Sequence, residues 1–126
     1  MSSWRAWVAS GRSIEVDGRS IFVRTAGAAD APVLLFLHGF PTSSFDYEAV
    51  IERLAKRYRC VAFDFLGFGA SAKPRIDYDY ELQTNLVEAV ARAEQIQRAT
   101  LVVPAGWIGS TCTSTSNRWS MAAARG

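Results

Sequence analysis

The sequence predicts an α/β fold: a hairpin, then parallel strands joined by crossover helices on a small sheet. Three observations point there. Residues 33–37 and 60–63 are continuously apolar, as strands covered on both faces are. A segment with helical spacing of its apolar residues follows each of them. Ahead of both, "SIEVDGRSIFVR" alternates apolar and polar residues around Asp17-Gly18, a strong hairpin signal.

At the N-terminus, Trp4 and Trp7 share one face of a helical turn and are expected to pack on the hairpin. The alternative for them is contact with a partner or a membrane surface. The first buried strand stops at His38-Gly39. "SSFDYEAVIERLAKRY" then places Val50, Ile51, Leu54 and Tyr58 at helical spacing, with Ser43 or Ser44 as cap. "RCVAFDF" is the second buried strand. After a loop rich in Gly and Pro, "YELQTNLVEAVARAEQI" puts Leu82, Leu86, Val90 and Ala93 on one helical face. "ATLVV", residues 99–103, is a short third buried strand. Ligand sites in such sheets lie beyond the carboxyl ends of the strands. The segments after Leu37, after Asp64 and after Val103 fall there.

Residues 104–126, "PAGWIGSTCTSTSNRWSMAAARG", show no helical or strand period. Residues 110–116 are Ser or Thr apart from Cys112. The expectation is an unstructured tail, or sequence unrelated to what precedes it. The third strand would then have an open outer edge, which favours aggregation and leaves the tail exposed to protease.

A chain of 126 residues is one domain or a piece of one, able to bury roughly two-thirds of its unfolded surface. With 49% hydrophobic and 21% charged residues it falls among globular, soluble chains. The net charge of +2 comes from dispersed Lys and Arg, so no nucleic-acid partner is expected. Two cysteines, Cys60 and Cys112, make neither a disulfide framework nor a metal motif. No metal and no cofactor are expected. No run is long enough to span a membrane, membrane contact is not expected, and residues 1–16 lack the apolar core of a signal peptide. A cytoplasmic location follows as the expectation.

Two motifs carry chemistry. His38-Gly39-Phe40-Pro41 sits where the first buried strand leaves the sheet. It is either an oxyanion loop, with the Phe40 N–H aimed into a pocket and His38 bracing the turn, or an ordinary turn with a hydrogen-bonded histidine. "DFLGFGASAKP" contains Gly67-x-Gly69-x-x-Ala72, the outline of a dinucleotide fingerprint. That fingerprint should open a helix, yet Lys73-Pro74 follows at once. The other reading is a glycine-dependent loop in which Asp64 and Ser71 bond local backbone.

Together, "HGFPTSSFDY" and "DFLGFGASAKP" resemble the α/β-hydrolase superfamily. The branch they resemble contains epoxide hydrolases, haloalkane dehalogenases and mesoderm-specific-transcript-like hydrolases. The resemblance runs from about Trp4 to Val103 and implies hydrolysis of a small ester, epoxide or carbon–halogen compound. It maps one oxyanion N–H onto Phe40, the oxyanion loop onto His38, Gly39, Phe40 and Pro41, and a structural pocket loop onto Asp64, Gly67, Gly69 and Ser71. Dehalogenases that stabilise halide from the first loop usually have Asn where Phe40 stands, which weighs against that activity. Residues 1–103 are expected to be a partial hydrolase domain, cut after the strand that precedes the nucleophile elbow.

The family's base is a histidine near the C-terminal end, whereas the one histidine here is His38. Ala105 occupies the nucleophile position, and Gly-x-Ser-x-Gly appears nowhere. The chain is therefore expected to be inactive by itself. A non-catalytic binding module is the alternative function, and a dinucleotide-binding fragment a further one.

Overall fold

Strand parity organises the molecule. The computed structural model describes residues 3–39, 42–103, 110–115 and 118–123. In β2 (Arg19–Ala26), β3 (Val33–Leu37) and β4 (Arg59–Phe63), buried odd-numbered and even-numbered side chains go to opposite faces. Val23, Leu35, Val61 and Phe63 join Leu86, Val90 and Ala91 of α3 (Tyr80–Ala93) in one core cluster. Phe22, Phe36, Cys60 and Ala62 join Trp7 of α1 (Trp4–Ala9) and Ile51 of α2 (Glu48–Leu54) in the other. The sheet is thus covered on both faces, and β3 and β4 have to be apolar throughout.

The strand order is β1-β2-β4-β3-β5-β6-β7, with β1 at Arg12–Val16 and β5 at Arg98–Val102. β4, β3 and β5 run parallel, in a register that places Leu35 beside both Val61 and Leu101. The chain steps from β3 outward to β4 through α2, then crosses back past β3 to β5 through α3. Crossovers of one hand moving in opposite directions put their helices on opposite faces. The hairpin β1–β2 adds to β4 antiparallel. Its turn has positive φ at both Asp17 (50°) and Gly18 (75°), as a two-residue type I′ turn requires.

The helices differ in detail from the expected ones. Ser43 caps a 3-10 turn, Ser44–Tyr47, and α2 follows only from Glu48. Ile51 is 3% exposed and Val50 is 43% exposed, so Val50 does not belong to the core face. On α3 the buried stripe is Gln83, Leu86, Val90 and Ala91, with Ala93 outside it. Asp79 caps that helix by accepting the Leu82 N–H at 2.8 Å. Buried Glu94 ends it, paired with Arg12 and with Arg59. That triad ties the end of α3 to β1 and β4.

Beyond β5 the sheet continues. Two strands, β6 (Ser110–Thr115) and β7 (Arg118–Ala123), continue the sheet, and β6 pairs antiparallel with β5 over Arg98–Thr100. The edge of β5 expected to be open is therefore paired. Thr is β-branched and suits extended backbone, so a run of Ser and Thr is compatible with a strand.

The face assignment of α2 is testable by denaturant unfolding. Ile51→Ala is expected to cost about 2–5 kcal/mol, since it empties a packed site. Val50→Ala is expected to stay within about 0.5 kcal/mol, as exposed substitutions do.

Candidate active-site loops

His38 follows β3, and Asp64 follows β4, the neighbouring parallel strand. Both are fully buried. The loop after β3 turns back on itself around the Gly39 carbonyl. That oxygen accepts from Thr42 N–H at 3.1 Å and from Thr42 Oγ1–H at 2.7 Å. It also lies 2.6 Å from His38 Nδ1. On the other side of the ring, Phe65 N–H donates to Nε2 at 2.9 Å. Nε2 is therefore the bare nitrogen, and Nδ1 carries the proton that goes to Gly39. The imidazole is neutral, and both nitrogens are engaged with backbone. Phe65 and Phe68 approach it edge-on, with ring centroids at 5.0 and 5.7 Å.

Burial lowers the pKa of His38 from its ordinary 6.5, outweighing the Gly39 hydrogen bond and the charges of Asp64 and Asp46. A neutral, doubly bonded imidazole braces the loop. It cannot take a proton without losing the Phe65 bond.

Asp64 is a charge solvated by backbone. Oδ1 accepts from Ser44 N–H at 2.7 Å and Oδ2 from Ala70 N–H at 2.8 Å. Its own N–H goes to Phe22 O at 3.0 Å, and its carbonyl accepts from Ser71 Oγ at 2.6 Å. Ser71 Oγ in turn accepts the Phe22 N–H at 3.0 Å. Side chain and main chain of Asp64 together thus join the turn after β3, the loop after β4 and strand β2. Gly69 makes this approach feasible: its φ is +54°, and a Cβ there would lie 2.2 Å from Asp64 Oδ2. Gly67, at φ +90°, is covered by the Tyr78 ring.

The structure brings His38, Gly39, Asp64, Gly69 and Ser71 into one network, with Gly67 in the same loop. Phe40, Pro41 and Ala105 lie outside the described residues. Two participants were missed by sequence reasoning. Ser44, expected with Ser43 only as an alternative helix cap, donates its N–H to Asp64, and its Oγ accepts from the Trp7 indole N–H at 3.1 Å. Trp7 thereby links α1 to the network. The one available signal was Trp7 itself, a large side chain with one polar atom that needs a partner when buried. The Gly67-x-Gly69 segment opens no helix, since α3 begins only at Tyr80. An open groove of about 460 Å³ lies beside Phe68, lined also by Tyr78, Asp79, Tyr80 and Gln83. Among the described residues no group of three or more His, Cys, Asp or Glu could hold a metal ion. No helix among them is long and apolar enough to cross a membrane.

Residues 32–110 match the family described as alpha/beta hydrolase fold. The chain belongs to that family. It is 47% identical over 90 residues to a protein of Mycobacterium tuberculosis named LipZ, covering 70% of this chain and 30% of that one. The human mesoderm-specific transcript homolog protein is 41% identical over 92 residues, 69% of this chain and 27% of that one. A haloalkane dehalogenase of Bradyrhizobium diazoefficiens is 38% identical over 91 residues, with 72% and 29% covered. The crystal structure of the haloalkane dehalogenase DbeA from Bradyrhizobium elkani superposes with a TM-score of 0.71 at 36% identity, over 75% of this chain and 32% of that one. The chain spans about 30% of the length of these family members.

Two outcomes are expected in solution. Gly69→Ala is expected to lose at least about 1–2 kcal/mol in denaturant unfolding, from the left-handed backbone alone, before the clash with Asp64 is counted. Below about pH 6.5 the unfolded chain takes up a proton that folded His38 resists, so the unfolded state binds more protons. Stability is then expected to be full above that pH and to fall on acidification until the depressed folded value is reached. With one histidine in the chain, His38→Gln is expected to flatten the melting temperature across that window.

Proposed function

We propose that the chain carries the oxyanion-loop portion of a small-molecule hydrolase of this family, acting on an ester, an epoxide or a carbon–halogen bond. The observation that carries the reading is the fixing of Gly39. Its carbonyl receives three donors, and it belongs to the same planar peptide unit as the Phe40 N–H. Holding one end of a rigid peptide fixes the other, as preorganised stabilisation of a developing oxyanion demands. Phe40 has no side-chain donor for a halide, which favours ester or epoxide over carbon–halogen hydrolysis.

The same geometry supports inactivity of these 126 residues alone. His38 is the one histidine, and both its nitrogens are committed. Ala105, which the resemblance sets at the nucleophile position, has no attacking group. Serine proteases that lose a triad member keep about 10³–10⁴-fold acceleration from binding and the oxyanion hole. That hole also needs an N–H following the nucleophile, so even this remainder is not expected.

The isolated chain is expected to show no turnover above a buffer blank on a panel of esters, epoxides and haloalkanes. The loop assignment is tested by grafting residues 4–103 in place of the matching segment of the Bradyrhizobium diazoefficiens dehalogenase. A folded graft is expected to hydrolyse a panel substrate, and Phe40→Pro, which removes the N–H, is expected to lower its kcat by about 10²–10³-fold. A folded Phe40→Pro graft as active as its parent overturns the assignment.

A further inference from the structure

β3 outruns one of its neighbours. Its register with β4 extends to Leu37–Phe63, whereas its register with β5 stops at Phe36–Val102. Leu37 is buried and stands immediately before His38. A buried carbonyl at a strand end needs a donor from outside the ladder when the ladder stops. That of Leu37 accepts from the Tyr47 hydroxyl at 2.8 Å. Tyr47 is the last residue of the 3-10 turn Ser44–Tyr47. Its ring rests against Phe36, with centroids 5.1 Å apart and planes at 58°. Burial raises the hydroxyl's pKa above its ordinary 10.0, and the Asp46 charge adds to the rise. The group therefore stays a donor at neutral pH.

This bond closes residues 38–46 into a loop tied at its base. Both residues that donate to Gly39 O, Thr42 and His38, belong to the loop itself. They fix its shape but not its angle to the sheet. That angle is set where the loop leaves β3 and where it returns. On the returning limb, Ser44 N–H is held by Asp64, and Tyr47 ties the limb back to the strand. The Leu37 carbonyl and the His38 N–H form one planar unit, and the Gly39 carbonyl and the Phe40 N–H another. Only φ and ψ of His38 and of Gly39 lie between the two units.

We propose that Tyr47 is a positioning residue of the oxyanion loop: its hydroxyl fixes the Leu37–His38 peptide and, through the torsions of His38 and Gly39, the direction of the Phe40 N–H. Its catalytic consequence rests on the hydrolase reading, whereas the geometry rests on the Leu37 bond. Tyr47 touches no reacting atom and acts through the backbone. A core aromatic whose hydroxyl only adds stability would affect the sheet and the loop alike.

The test is Tyr47→Phe, which removes the hydroxyl and keeps the ring on Phe36. Amide hydrogen exchange of the intact chain, followed by NMR, reads the loop through two N–H groups. Thr42 donates to Gly39 O, and Phe65 donates to His38 Nε2. Both are expected to exchange at least about fivefold faster in Tyr47→Phe, with the Leu35 and Val61 amides of the sheet unchanged. In the folded graft on the Bradyrhizobium diazoefficiens dehalogenase, Tyr47→Phe is expected to lower kcat about tenfold and to leave KM within about twofold, as a displaced donor does. Equal acceleration at all four amides, or none at Thr42 and Phe65, overturns the proposal. Faster loop exchange with an unchanged kcat in an active graft overturns it too. A graft without turnover counts against the hydrolase reading instead, and the exchange pattern of the intact chain still decides whether Tyr47 sets the loop.

Discussion

The Asp64 carboxylate has no room to be anything but a hub. A buried charge must be solvated by the protein, and here two backbone N–H groups from different segments supply that solvation. Each donor comes from a different crossover. Ser44 opens the 3-10 turn ahead of α2, and Ala70 lies in the glycine-rich loop ahead of α3. Both crossovers of the parallel sheet therefore begin from segments oriented by one side chain. The cost is a backbone that only Gly69 adopts cheaply, and a serine, Ser71, given over entirely to the Phe22 and Asp64 main chain.

His38 belongs to the same arrangement as a support. A lone histidine at the end of a buried strand invites an acid–base role, and its setting decides against one. The ring is fully buried, its Nε2 lone pair is taken by the Phe65 N–H, and its remaining proton goes to Gly39. Desolvation favours the neutral form that this pattern requires. Electrostatics and hydrogen-bond geometry therefore agree on the neutral ring, and a group held in one protonation state positions its neighbours instead of exchanging protons.

Legibility in the sequence follows how local each cause is. The buried strands were readable because coverage on both faces leaves no polar position in 34–37 or 60–63. The hairpin was readable because Asp17-Gly18 is itself the turn. Val50 and Ile51 were indistinguishable, since both fit an apolar helical pattern and only the short 3-10 turn before α2 sets the helix phase. The tail strands were not readable from period, because a run of small hydroxyl residues has no contrast between faces. In the site, Asp64, Gly69 and Ser71 were legible as a local loop motif. Ser44 and Trp7 were not, because the bond between them spans 37 residues and exists only once α1 has docked on α2.

The network's completeness bounds what it can do. Both oxygens of Asp64, both nitrogens of His38 and the hydroxyls of Ser44 and Ser71 have partners within it. Saturated hydrogen-bond networks in a low-dielectric interior are rigid, and rigidity is the property an oxyanion donor needs from its support. The same saturation leaves no group able to attack or to accept a proton. Arg24 Nε and Glu48 Oε2 show the opposite condition, each buried without a partner among the described residues. The saturated network is built to hold a geometry, whereas open atoms elsewhere, Gln83 Oε1 among them, cost stability without positioning anything.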